Sequence, residues 1–184
     1  MEALILIVIV AGIVLAAGFW FTQRSRRRQE LKGRFGSEYD RTIETAGSRG
    51  EGEKELAERE KRVETLQLKE LDSRETQRFG DEWRNTQGRF VDSPAASIQE
   101  ADSLVQEVMT ARGYPITNFE QQAADISVDH PNVLNNYRAA HAIAEENAVE
   151  PASTEDLRQA MIHYRALFDE LLVPAELAPS DAKR

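Results

Sequence analysis

The 184-residue chain contains no cysteine. That removes disulfides, thiolate metal centres and cysteine nucleophiles together. Beyond residue 24 it lacks any useful run of alternating apolar and polar residues, and valine and isoleucine are sparse there, which argues against a sheet. It has no GxSxG elbow, no GxxxxGK[ST] loop and no HExxH pair. Nucleophile-elbow hydrolysis, P-loop phosphate binding and zincin chemistry therefore have no support. A basic excess is missing as well: 23 Lys and Arg stand against 32 Asp and Glu, a net charge of −9. Residues 1–92 balance at 17 of each sign, whereas residues 93–184 hold 15 acidic and 6 basic side chains. A domain of that sign repels phosphate backbones, so no nucleic-acid partner is expected.

Charge is absent altogether from Ala3 to Thr22, and Leu4 to Phe21 is continuously apolar over 18 residues. As a helix, such a run reaches roughly 27 Å, close to the thickness of bilayer hydrocarbon. Residues 1–23 are therefore expected to form a transmembrane anchor that meets the lipid bilayer through residues 3–22. Phe19, Trp20 and Phe21 sit where an interfacial aromatic belt belongs. A cleaved signal peptide would need a basic start and a shorter apolar core, but the chain begins Met1-Glu2. Arg24, Arg26, Arg27, Arg28, Lys32 and Arg34 follow the run and no basic residue precedes it. The positive-inside rule then places the N-terminus outside and the rest in the cytoplasm of a single-pass cell-membrane protein. Trp20, Arg24, Arg26, Arg27, Arg28 and Lys32 are the expected membrane-surface residues, facing anionic lipid headgroups. Gly12 and Ala16 form one small-xxx-small pair, which would let two spans approach in a homodimer.

The remainder reads as helix. Residues 24–52 form a basic juxtamembrane segment, a broken helix ending in a flexible joint at Gly47, Gly50 and Gly52. Residues 53–71 form a charged helix with a narrow apolar stripe (Leu56, Val63, Leu66, Leu68, Leu71), suited to a short coiled coil or spacer. From about residue 72 to 173 an antiparallel helical bundle is expected. Asp72 or Ser73 caps its first helix, which carries Phe79, Trp83, Thr86 and Phe90. Asp92-Ser93-Pro94 restarts the chain with Pro in the first turn. Gly113 and Pro115 stop that second helix, Asn118 and Pro131 open two more, and Ser153 with Asp156 gives a capping box. The last helix has the cleanest stripe: Leu157, Ala160, Met161, Tyr164, Leu167, Phe168, Leu171 and Leu172. Short connections imply antiparallel neighbours. Residues 174–184 read as a flexible tail.

Chemistry is thin. No catalytic residue, no cofactor and no firm metal site are expected. The weak metal candidates are His141 and Glu145, which share a helix face at i and i+4. His141 also borders an apolar stripe, where a satisfied core histidine is the commoner case. The parallel strings NNYRAAH and IHYRALF put Tyr137-Arg138 and Tyr164-Arg165 at equivalent places on two helices. Buried, these tyrosines would pack, with the arginines joining acids such as Asp169 or Glu145. Exposed, they would mark a partner site. A second echo joins RFGSEYDRT, from Arg34, to RFGDEWRNT, from Arg78. On helices, each copy would align an aromatic pair, Phe35–Tyr39 and Phe79–Trp83, and an ion pair, Arg34–Glu38 and Arg78–Glu82. Gly36 and Gly80 each cost a helix about 1 kcal/mol, so close packing is expected at both.

The strings RFGSEYDRT, RFVDSP, RGYP, SVDHP and LRQAMIHYRALFDELL resemble a family of uncharacterised bacterial single-span membrane or secreted helical proteins. The resemblance runs from about Arg34 to Leu172. It implies a bacterial source and one N-terminal span, and carries no activity, cofactor or catalytic residue. The leading expectation is a non-enzymatic, membrane-tethered helical interaction or scaffold module with a protein partner. The alternatives are a metal- or small-ligand-binding helical-bundle enzyme, and an outward-facing or secreted helical domain.

Overall fold

A computed structural model describes the backbone of residues 2–172, and the side chains of residue 12 and residues 15–172. Among these residues the chain is all-α, with no strand. The helices are α1 (Glu2–Phe35), α2 (Ser37–Ala46), α3 (Arg49–Glu64), α4 (Ser73–Arg89), α5 (Pro94–Ala111), α6 (Phe119–Asp129), α7 (Leu134–Val149) and α8 (Thr154–Leu172). One 3-10 turn, Pro131–Val133, leads into α7. Among the described residues no helix is long and apolar enough to cross a membrane. The expected span over residues 3–22 falls in large part on residues 3–11, 13 and 14, outside those whose side chains are described. The expected tail at 174–184 also lies outside the described residues.

The chain divides into two compact units, Met1–Leu56 and Ala57–Arg184, with the division inside α3. In the first unit, α1 gives way to α2 at Gly36, whose φ of 51° and ψ of −126° suit glycine and few other residues. The two helices pack on one another, and Leu31, Phe35 and Tyr39 are buried. Gly47 closes α2 in the left-handed conformation. The expected flexible joint is shorter than the glycines suggested. Ser48 and Glu51 cap each other, Ser48 Oγ donating to Glu51 Oε2 at 3.0 Å, so α3 begins at Arg49 and holds Gly50 and Gly52. A Cβ on Gly52 would lie 2.6 Å from Ile43 Cδ1, so α2 and α3 touch there.

The charged helix expected at 53–71 ends at Glu64. Residues 66–72 are non-helical, and the Lys69 amide donates to the Arg112 carbonyl at 2.9 Å. This strap passes so close to the end of α5 that a Cβ on Gly113 (φ 95°) would sit 2.5 Å from the Gln67 carbonyl oxygen. The end of α3 is held by Arg62, whose Nε donates to Asp125 Oδ1 of α6 at 2.9 Å. Asp125 is fully buried and also accepts from Gln121.

The core of the second unit gathers the expected stripes. Phe79, Trp83, Ile98, Ala101, Val105, Val108, Met109, Tyr137, Ala140, Tyr164, Leu167 and Phe168 are all buried in it. Trp83 stacks on Phe168 with ring centroids 4.6 Å apart. Helix starts fall where the chain signals them. Asp72 and Glu75 form a reciprocal cap on α4, Pro94 occupies the first turn of α5, and the Asn118 side chain caps α6. Ser153 accepts from the Asp156 amide at the start of α8. Helix direction is read from side-chain partners. Arg89, ending α4, pairs with Glu100 near the start of α5, so these two run antiparallel. In contrast, Asp102 meets Tyr164 while Arg112 reaches Leu171, so α5 and α8 run parallel. The expectation of antiparallel neighbours thus needs a correction: it describes helices joined by short turns, and α6 and α7 intervene between α5 and α8.

Candidate functional site

Two polar groupings interrupt the core of the second unit. The first centres on Asp102 of α5, one turn beyond Ile98 on the edge of that helix's apolar stripe. Tyr164 Oη donates to Asp102 Oδ1 at 2.7 Å, and Gln106 Nε2 donates to Oδ2 at 2.8 Å. His141 of α7 places Nδ1 3.8 Å from Asp102 Oδ1, an ion-pair distance that is too long for a hydrogen bond. Its Nε2 lies 3.4 Å from Glu145 Oε1. The imidazole stacks on Phe119 at 3.7 Å with an interplanar angle of 10°. Asp102 raises the His141 pKa above its ordinary value, outweighing the burial that lowers it, and Glu145 adds to the rise. Burial pushes Asp102 up, but His141, Tyr164 and Gln106 together hold it below the ordinary carboxylate value. Burial, then the Asp102 charge, pushes the Tyr164 hydroxyl far up, so it acts as a donor throughout the usual pH range. Three helices are thus joined through one carboxylate. Among the described residues no group of three or more His, Cys, Asp and Glu converges to hold a metal.

A second grouping lies where the C-terminal ends of α5, α6 and α8 meet the strap. It opens a cleft of about 430 Å³, lined among others by Lys69, Arg112, Tyr114, Asp129, His130 and Glu170. Two consecutive residues of α8 organise it. Glu170 Oε1 lies 3.1 Å from His130 Nδ1, and the Leu171 carbonyl accepts from Arg112 Nη1 at 2.8 Å. Arg112 Nε and His130 Nε2 are buried without a hydrogen-bond partner. Buried polar atoms are usually paired, so these two stand out. Tyr114 donates weakly to Asp129 at 3.5 Å, and burial, then the Asp129 charge, raises its pKa.

The residues singled out from sequence are placed as follows. Tyr137 and Tyr164 are fully buried, the Tyr137 hydroxyl donating to Gln122 at 3.2 Å, so neither presents a surface to a partner. Arg165 is exposed and pairs with Asp169 at 3.4 Å, while Arg138 is half-buried. Phe35, Tyr39, Phe79 and Trp83 are buried. The two RFG copies are not one packing arrangement used twice. The second copy lies within one helix, with Arg78 and Glu82 paired at 3.0 Å along α4, whereas in the first copy Gly36 separates the end of α1 from the start of α2. A Cβ on Gly36 or Gly80 would meet no backbone, which corrects the expectation of close packing at either.

In the first unit the basic cluster is partly spent on the fold. Arg28 Nε donates to Glu53 Oε1 at 3.0 Å, and the Tyr39 hydroxyl donates to the same oxygen at 2.8 Å. Lys32 sits 5.0 Å from the Tyr39 ring centroid and 3.8 Å from Asp40. Arg27 approaches Glu30 at 3.6 Å. Arg24 lies over the exposed Trp20 ring at 5.2 Å. Sequence reasoning missed the Asp102 cluster and the Arg112–His130 cleft. Asp102 could have been noticed as a carboxylate one turn from Ile98 on a buried face. Arg112 lay hidden in RGYP, which reads as a helix stop.

No family model matches the chain, and no curated protein and no solved structure matches it.

Proposed function

We propose that the chain is a single-pass, membrane-tethered helical interaction module without enzymatic activity, carrying its second unit into the cytoplasm to meet a protein partner. One observation carries the tether: the charge-free apolar run of residues 3–22 is followed at once by Arg24, Arg26, Arg27 and Arg28. A bilayer is the environment that removes the cost of exposing such a run, and the flanking charges hold its cytoplasmic end at the anionic surface. Support also comes from α1, one helix from Glu2 to Phe35 that joins the apolar run to the basic cluster without a break. Arg24 with Trp20 forms the expected interfacial pair of a cation and an amphipathic ring. The motif resemblance to bacterial single-span proteins points the same way. The partner reading has its support in the exposed Ile116 and Ile162, which lie outside the core.

The test uses the full chain with a C-terminal tag in intact bacterial cells. It should sediment with membranes, resist an alkaline wash, and keep its tag from added protease until the cells are permeabilised. Digestion without permeabilisation would place the second unit outside. Recovery in the soluble fraction would remove the tether.

A further inference from the structure

We propose that the cleft at the ends of α5, α6 and α8 binds a small zwitterion of the α-amino-acid class, with its carboxylate on Arg112 and Lys69 and its ammonium group on His130, Asp129 and Glu170. The cleft, at about 430 Å³, falls in the size range of small-molecule sites. Its walls are built. The strap is fixed by the Lys69 amide on the Arg112 carbonyl, and Gly113 lets strap and α5 close to contact distance. Arg112 is 9% exposed and its Nε has no partner, although Nη1 is held by the Leu171 carbonyl. The guanidinium is thus oriented with one N–H in reserve, a donor suited to a carboxylate.

His130 supplies the complementary atom. Its Nδ1 faces the Glu170 carboxylate, which can only accept, so Nδ1 is the donor in that contact. The second nitrogen, Nε2, is buried without a partner, and in the tautomer protonated at Nδ1 alone it offers a lone pair. A donor bearing positive charge fits there, because Glu70, Asp129 and Glu170 line the same cleft. Those three carboxylates oppose a simple dianion, while Arg112 and Lys69 oppose a simple polyamine. A ligand that carries both signs on neighbouring atoms meets both sets. The site does not depend on the tether, and a chain recovered from the soluble fraction would leave it standing.

The full chain in detergent micelles is titrated calorimetrically with each of the twenty free α-amino acids. The best binder is then compared with its ethyl ester, which keeps only the ammonium group, and its N-acetyl form, which keeps only the carboxylate. Saturable binding is expected for at least one amino acid, with either blocked form at least about tenfold weaker, the size of one lost charge-assisted hydrogen bond. Lys69→Gln, at an exposed position, should weaken binding severalfold, and Arg112→Gln should abolish it. Should Arg112→Gln fail to fold, the His130 imidazole resonances in the folded wild type decide, since they must shift on titration. No binding by any amino acid, equal binding by a blocked form, or unchanged His130 resonances on saturation would each overturn the assignment.

Discussion

At the residue scale, Asp102 and His141 define a pH window. The His141 pKa is raised in the folded chain, so its contribution is full below the ordinary imidazole value, about 6.5, and is lost as pH rises through the folded value. The Asp102 pKa is lowered, so its contribution is full above the ordinary carboxylate value, about 4, and is lost as pH falls through the folded value. Both are complete between about pH 4 and 6.5. Melting of the full chain across pH should therefore show an alkaline decline that His141→Gln flattens; an unchanged alkaline limb in that variant would show that the pair contributes nothing. Arg62 illustrates a different economy. Asp125 is buried with Arg62 and Gln121 as donors, so the ion pair costs desolvation and holds mainly through its hydrogen bonds. Its value lies in registering the end of α3 on α6.

Helices obey local rules until a neighbour overrides them, and the two RFG glycines separate the cases at the element scale. Gly36 holds a positive φ that ends α1, and a side chain there costs about 1–3 kcal/mol of strain. Gly80 is helical, with only the flexible end of Arg84 near a built Cβ, at 3.7 Å. Gly36→Ala is expected to reduce hydrogen-exchange protection in α2, and Gly80→Ala to raise it in α4 by about 0.5–1 kcal/mol. Equal effects of the two substitutions would contradict this division. Much at this scale was legible. Ser93-Pro94, Asn118 and the Ser153–Asp156 pair announce their helices through side chains a few residues apart, and the stripe of α8 is buried as its spacing requires. The extent of α3 was not legible. Gly50 and Gly52 read as a joint, yet Ser48 and Glu51 cap a helix there and Ile43 packs on Gly52. Residues 66–71 read as helix, yet the bond from Lys69 to Arg112 draws them out.

For the whole molecule, the two tryptophans allow the proposed tether to be tested apart from the core. Trp20 is exposed beside Arg24, whereas Trp83 is buried against Phe168. In a Trp83→Phe chain reconstituted into vesicles, Trp20 alone reports its depth. Lipids brominated near the headgroup should quench it more strongly than lipids brominated near the chain ends; no quenching would remove the bilayer from the account. Arg27, Arg28 and Lys32 are drawn into contacts with Glu30, Glu53, Tyr39 and Asp40, so under the proposed tether Arg24 and Arg26 are the arginines best suited to headgroups.

The sequence by itself determined the helical class, most helix starts, the composition of the buried stripes and the charge-free run at the N-terminus. Each of these depends on residues within a turn or two, where backbone geometry and side-chain spacing suffice. Tertiary structure alone decided that α5 runs parallel to α8, and that Glu170 and Leu171 bring His130 and Arg112 to one cleft. Those pairings join residues 40 to 62 positions apart. Local propensity carries no information over that distance. They form where burying the stripes against one another brings these polar groups together.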